Sequence, residues 1–199
     1  KDRALTLIAA RERGVDYSVV DFDGRFWIRS NRNGAVDFAL VSAPHDASNE
    51  ENWRVEIPHR PGVLLLDVEP FADFIVRMER ENGLPRIVVR ERDTGAEHAI
   101  EFAEQAYALG MSNGYLWDSP WLRFEYSSPS TPAQVFDYNM RTRERVLRKT
   151  QVVPSGHAPS DYIVERIDAP ASDGAQIPVT MVRHRNTPVD GAAPVLLYG

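Results

Sequence analysis

One stretch of this sequence carries the outward pattern of a hydrolytic nucleophile. Gly110-Met111-Ser112-Asn113-Gly114 matches G-x-S-x-G, in which a serine sits on a sharp strand-to-helix turn with its hydroxyl exposed. The residues that follow, Tyr115-Leu116-Trp117-Asp118-Ser119-Pro120-Trp121, start a helix poorly, whereas Asn113-Gly114 suits a tight turn. Ser112 therefore reads as part of a turn and not as a nucleophile. His45, His59, His98, His157 and His184 contain no i, i+4 pair of the H-E-x-x-H kind, and the chain has no cysteine. His157 and Asp161 share a loop rich in proline and glycine, where a solvated histidine is the plain reading. No cofactor-binding or metal-ligating residue is assigned.

Two further groups are candidates for binding. Glu79-Arg80-Glu81 and Arg90-Glu91-Arg92-Asp93 are charge clusters at strand ends. They read as a solvated sheet face with surface ion pairs worth little, or as a face that meets another domain or draws in cationic peptides. Trp27, Trp53, Trp117 and Trp121 lie in or near strands, and packing between sheets accounts for them. Stacking on nucleic acid would need an interleaved basic groove. The formal net charge of −6 and the lack of a basic block make nucleic acid and anionic membranes unlikely partners.

The elements that would position these groups are strands. A hydrophobic content of 43% over 199 residues supports a folded core. No apolar run approaches the roughly 18–20 residues of a membrane span, and no signal peptide follows Lys1, so a cytoplasmic location is expected. Leu5-Thr6-Leu7-Ile8 reads as an entry strand. Tyr17 to Phe22 and Arg25 to Arg29 flank Asp23-Gly24; Asn33-Gly34 precedes Phe38-Ala39-Leu40-Val41; Trp53 to Ile57 ends at Pro58. The order recurs in Val63 to Val68, Phe74 to Met78, Asn82-Gly83, Arg86 to Arg90, Thr94-Gly95 and His98 to Phe102. It recurs again in Tyr107 to Leu109, Trp121 to Tyr126, Gln134 to Tyr138 and Arg145 to Leu147. A period of about 50 residues with four strands each is the pattern of β-propeller blades.

Gln151 to Asp161, with Pro154, Gly156 and Pro159, reads as a linker. Tyr162 to Ile167 and Ile177 to Val182 then frame Ser172-Asp173-Gly174 as a hairpin. Val195-Leu196-Leu197-Tyr198 reads as a strand buried on both faces. The expected fold is mainly β: about three four-stranded propeller blades over residues 1–153, a linker over 154–161, and the first strands of an α/β-hydrolase domain over 162–199. Open blade edges predict self-association of an isolated piece.

Phe124-Glu125-Tyr126-Ser127-Ser128-Pro129-Ser130-Thr131-Pro132, Val135-Phe136-Asp137-Tyr138 and Lys149 to Pro154 resemble the last propeller blade of the prolyl oligopeptidase family of serine peptidases. Tyr162 to Arg166 with Ser172-Asp173-Gly174 resembles the hairpin that opens that family's peptidase domain, and Val195 to Gly199 the strand before its oxyanion loop. Asn52-Trp53 to His59-Arg60-Pro61 and Glu79 to Arg86 are similar to the oligopeptidase B branch (protease II) in particular. The resemblance implies a parent that hydrolyses short peptides after Arg or Lys; the alternatives are a prolyl-specific or dipeptidyl member of the same family, and a self-contained β-rich binding module without catalysis. A seven-bladed propeller would cap a domain with a Ser-Asp-His triad. It also implies that the triad, the oxyanion tyrosine and the acidic specificity pocket lie downstream of Gly199. No catalytic residue is therefore assigned, and these residues alone are expected to be inactive.

Overall fold

The computed structural model describes residues 7–112 and 116–198. The chain divides into two compact units, residues 1–100 with 116–119 and residues 101–115 with 120–199.

The first unit holds two four-stranded antiparallel meanders. One contains β1 (Tyr17–Phe22), β2 (Arg25–Ser30), β3 (Ala39–Pro44) and β4 (Arg54–Ile57) in that order. The other contains β5 (Val63–Pro70), β6 (Phe74–Glu81), β7 (Leu84–Glu91) and β8 (Glu97–Ala99). Asp23-Gly24 joins β1 to β2 with Phe22 opposite Arg25, and Asn82-Gly83 joins β6 to β7 with Glu81 opposite Leu84. All four turn residues have positive φ, as a two-residue hairpin of this hand requires. Gly24 sits at φ 71° with open space where a Cβ would go. Gly24→Ala should therefore cost only the backbone term, about 1 kcal/mol, read as a small drop in melting temperature. The sheets meet through Trp27, Leu40 and Ile57 of the first and Leu65, Val68 and Ile75 of the second.

The second unit holds β9 (Ala108–Met111), β10 (Trp121–Ser127), β11 (Gln134–Asn139) and β12 (Arg145–Thr150), again an antiparallel meander. Beyond it β13 (Tyr162–Pro170) and β14 (Gln176–His184) pair as a two-stranded sheet. Alternation along β10 buries Leu122, Phe124 and Tyr126 and leaves Trp121, Arg123 and Glu125 outward. The three meanders fall where the repeat places them. Among the described residues the only helices are single 3-10 turns, one of them Pro159–Asp161, and none is long and apolar enough to cross a membrane.

Several expectations are corrected. Val195-Leu196-Leu197-Tyr198 is not a strand; Leu196 and Tyr198 are 92% and 94% exposed. An apolar run becomes a buried strand only beside partner strands, and among the described residues β13 and β14 pair with each other alone. Leu7-Ile8 is not in a strand either, while Leu5 and Thr6 lie outside the described residues. Asn33-Gly34 has positive φ, but β2 and β3 are joined by the longer connection 31–38. Phe38 closes that connection at φ 65°, outside β3, with the Arg29 guanidinium 3.7 Å above its ring. The expected strand from His98 to Phe102 is shifted to Glu97–Ala99.

Candidate functional site

Ser112 belongs to the sheet. Its N–H donates to the Arg123 carbonyl at 3.0 Å, extending the β9–β10 ladder. Asn113 and Gly114 of the same motif lie outside the described residues. The tryptophans act in packing. Trp27 is buried between the sheets of the first unit, Trp53 donates its indole N–H to the Ser48 carbonyl at 3.0 Å, and the Trp117 ring lies 6.0 Å from Phe22.

Glu79 departs from the expected solvated face. Period-two alternation along β6 puts Ile75, Arg77 and Glu79 on the side that meets the first sheet. Glu79 is 0% and Arg77 3% exposed. Arg77 Nε donates to Glu79 Oε1 at 2.5 Å and Arg86 Nε to Oε2 at 2.8 Å, while Arg60, from the connection between β4 and β5, also donates to Oε1. Arg77 then grips Glu97 of β8 with both terminal nitrogens at 2.8 and 2.7 Å. Burial pushes the Glu79 carboxyl up, but the hydrogen bonds and charge of Arg77, with Arg86 and Arg60, outweigh it, so the group lies below the usual carboxylate range. Both oxygens are taken, and the network cross-links four segments. It is a structural brace. In the other charge cluster, Arg90 donates to the Glu56 carbonyl, and Arg92 donates to the Ala72 carbonyl and Asp23.

The second unit contains a comparable saturated carboxylate and another that is met by hydroxyl groups. Asp137 of β11 takes both oxygens' bonds from Arg123 at 2.7 and 3.0 Å and another from Arg148 at 2.6 Å. Its carboxyl is held below the ordinary value, chiefly by the Arg123 hydrogen bond. Glu104, in the connection between β8 and β9, is different. Thr131 Oγ1 donates to its Oε1 at 2.5 Å, and the carboxylate also meets the Tyr126 hydroxyl. The Tyr126 hydroxyl is driven well above its ordinary value, by burial first and by Glu104 next.

Glu104 lines a cleft of about 420 Å³ with Ala103 and Gln105 of the same connection, Ser130 of the β10–β11 loop, Pro159 of the linker, and Tyr162 and Val164 of β13. Local bonds set these walls. Gln105 Oε1 accepts the Arg166 N–H at 3.0 Å, which ties β13 to the connection. His157 is not paired with Asp161; its Nε2 lies 2.6 Å from the Ser130 carbonyl, and its ring stacks on Tyr162 at 5.1 Å. Asp161 instead closes the 3-10 turn, its N–H donating to the Ala158 carbonyl at 2.9 Å. Sequence reasoning found His157 but passed over Glu104, since an isolated glutamate between Ala103 and Gln105 carries no motif. Among the described residues there is no group of three or more side chains suited to a metal ion.

Three repeated four-stranded meanders, with a strand hairpin after the last, are now joined by a direct comparison. The family profile described as "Prolyl oligopeptidase, N-terminal beta-propeller domain" matches residues 1–151. The chain belongs to the prolyl oligopeptidase family. Its three meanders are therefore blades of a prolyl oligopeptidase propeller. Dipeptidyl aminopeptidase BI of Pseudoxanthomonas mexicana is 39% identical over 194 residues, 97% of this chain and 27% of that protein. Protease 2 of Moraxella lacunata is 28% identical over 197 residues, 98% of this chain and 28% of its own length. Oligopeptidase B from Trypanosoma brucei, solved in a closed form with covalently bound antipain, superposes with a TM-score of 0.81 at 26% identity, covering 92% of this chain and 27% of that one. The chain thus spans about a quarter of the length of these prolyl oligopeptidase relatives.

Proposed function

We propose that this chain is the propeller-bearing part of a serine oligopeptidase that hydrolyses short peptides by acyl transfer to water through a serine ester. The blades act as a cap that admits short peptides and excludes folded proteins. The observation that carries this reading is the family match over residues 1–151. Within it, residues 1–153 are propeller, 154–161 are a hinge, and β13–β14 open an α/β-hydrolase domain. A hinge in the linker lets the two domains part to admit substrate. The partners are short peptides and the remaining blades and peptidase domain of the same polypeptide.

Cleavage after Arg or Lys is supported by the similarity to protease 2 and oligopeptidase B. A second reading, removal of dipeptides from a free N-terminus, is favoured by the 39% identity to a dipeptidyl aminopeptidase against 28% to protease 2. Fluorogenic amides tested on the full-length polypeptide separate the two. Amides ending in Arg should be cleaved with kcat/KM at least about tenfold above those ending in Pro, and a serine-reactive inhibitor should abolish turnover. Equal rates on N-blocked and free peptides would select the endopeptidase reading. A strict need for a free amine would select the dipeptidyl one. No hydrolysis of any peptide would remove both.

A further inference from the structure

We propose that the joint between the two sheets of the first unit contains a binding site for a single water molecule, anchored by the Trp27 indole N–H. The proposal does not depend on the peptidase reading. Trp27 is 8% exposed, and its Nε1 is buried with no hydrogen-bond partner among the described residues. Trp53, by contrast, gives its indole N–H to the Ser48 carbonyl. Buried polar atoms in native structures nearly always find a partner, either protein or ordered water. Trp27 also lines a cavity of about 20 Å³, with Ser18 of β1, Arg29 of β2 and Asp67 of β5 among the other walls. A donor without a partner and a space beside it are separate observations, and they coincide at one residue.

The size and the lining select the occupant. About 10–15 Å³ of such space holds one water molecule, so this cavity takes one and excludes anything larger. Asp67 stands at its wall because β5 is bulged between Leu65 and Asp67. Strict alternation would put Asp67 on the buried face with Leu65. The extra residue instead buries Leu65 and Val68 and leaves Asp67 exposed. Asp67 Oδ1 accepts the Val68 N–H at 2.8 Å. A carboxylate offers about four acceptor sites, so it can take a water proton as well. Its charge disfavours an anion in the same place. Arg29 is engaged elsewhere, its Nε on the Leu65 carbonyl at 2.7 Å and its guanidinium 3.7 Å above the Phe38 ring. Ser18 adds a hydroxyl that either donates or accepts. A water that accepts the indole N–H and donates to Asp67 joins β2 of one sheet to β5 of the other.

The test uses the full-length polypeptide with tryptophan labelled at the indole nitrogen, probed by NMR at the water frequency. The Trp27 N–H, assigned by its loss in Trp27→Phe, should show a water cross-peak of opposite sign in NOE and ROE spectra. That sign pattern marks a bound molecule and not proton exchange. Ser18→Ala should keep the cross-peak, since the partner is water and not the serine hydroxyl. Asp67→Leu removes the acceptor and fills the space with methyl groups. It should abolish the cross-peak while the Trp27 N–H resonance remains. If Trp27→Phe folds poorly, the assignment passes to the other two variants: one indole N–H should keep its water cross-peak in Ser18→Ala and lose it in Asp67→Leu. No such N–H in the native polypeptide would overturn the proposal. Loss of the cross-peak in Ser18→Ala would overturn it too, by making the hydroxyl the partner. So would its persistence in Asp67→Leu, which would mean that solvent reaches the indole by another path.

Discussion

Glu79→Ala is expected to lower the unfolding free energy by about 3 kcal/mol, near the lower end of what removal of one partner from a buried ion pair costs. The reason lies in what remains. Arg60 and Arg86 are about a third exposed and can turn their guanidinium groups to water. Arg77, with 4% of its side chain exposed, cannot. Its bond to Glu97 offsets part of the loss, which keeps the effect from the upper end. A drop in denaturant midpoint at unchanged m-value would measure it. A change under about 0.5 kcal/mol, the usual range for surface positions, would mean that the network is solvated in solution.

This network and the separate Asp137 cluster together set an acid limb. The folded-state carboxyls of Glu79, Glu97 and Asp137 all lie below their unfolded values of 4.5, 4.5 and 3.8. Each contributes stability that is complete above its unfolded value and is lost as pH falls through its lowered folded value. The melting temperature should therefore be steady above about pH 5 and fall steeply below pH 4. Glu79→Gln should make that fall shallower, because one of the groups that must take up a proton is gone.

Phe124→Ala should cost about 3–5 kcal/mol, the range for removing a buried aromatic ring from a core. Phe124 is 0% exposed. It stacks on Phe136 at 5.4 Å and meets the edge of Phe102 at 5.8 Å. Phe102 in turn stacks on Tyr126 at 5.1 Å and carries the Arg145 guanidinium 4.8 Å above its ring. Truncation would leave a cavity whose lining is tied by these contacts and collapses poorly. Phe124→Leu, closer in volume, should cost clearly less. Backbone hydrogen exchange is the discriminating measurement. Amides of β10 and β11 should lose protection in Phe124→Ala, while those of β6 and β7 keep it. Equal loss across both units would mean that the two unfold as one body.

Most strands were legible because their signals are local. Tyr17 to Phe22, Trp121 to Tyr126 and Gln134 to Tyr138 alternate or cluster β-branched and aromatic residues, and Asp23-Gly24 and Asn82-Gly83 force tight turns whatever lies around them. The errors have a shared cause. Asn33-Gly34 takes its expected positive φ, but the spacing to β3 is set by Phe38, which rests under Arg29. Val195 to Tyr198 has the composition of a buried strand, yet composition cannot supply neighbouring strands. Glu79-Arg80-Glu81 has the composition of a solvated face. Its true setting depends on Arg60, which arrives from the preceding connection, and on the sheet opposite.

The candidate site was less legible than the fold. His157 drew notice as a loop histidine near Asp161, but its bond to Ser130 joins residues far apart in sequence. Glu104 gave no signal at all, since what distinguishes it is its contact with the Thr131 and Tyr126 hydroxyls and a cleft assembled from four separate segments.

By itself the sequence determined the repeating strand order, the hairpin turns and the family, because alternation, turn chemistry and motif spacing are properties of neighbours along the chain. Only the tertiary structure decided which charges are buried and which carboxylates are saturated. Burial and pairing depend on segments that meet in space, and desolvation, rather than residue type, decides what a carboxylate can do.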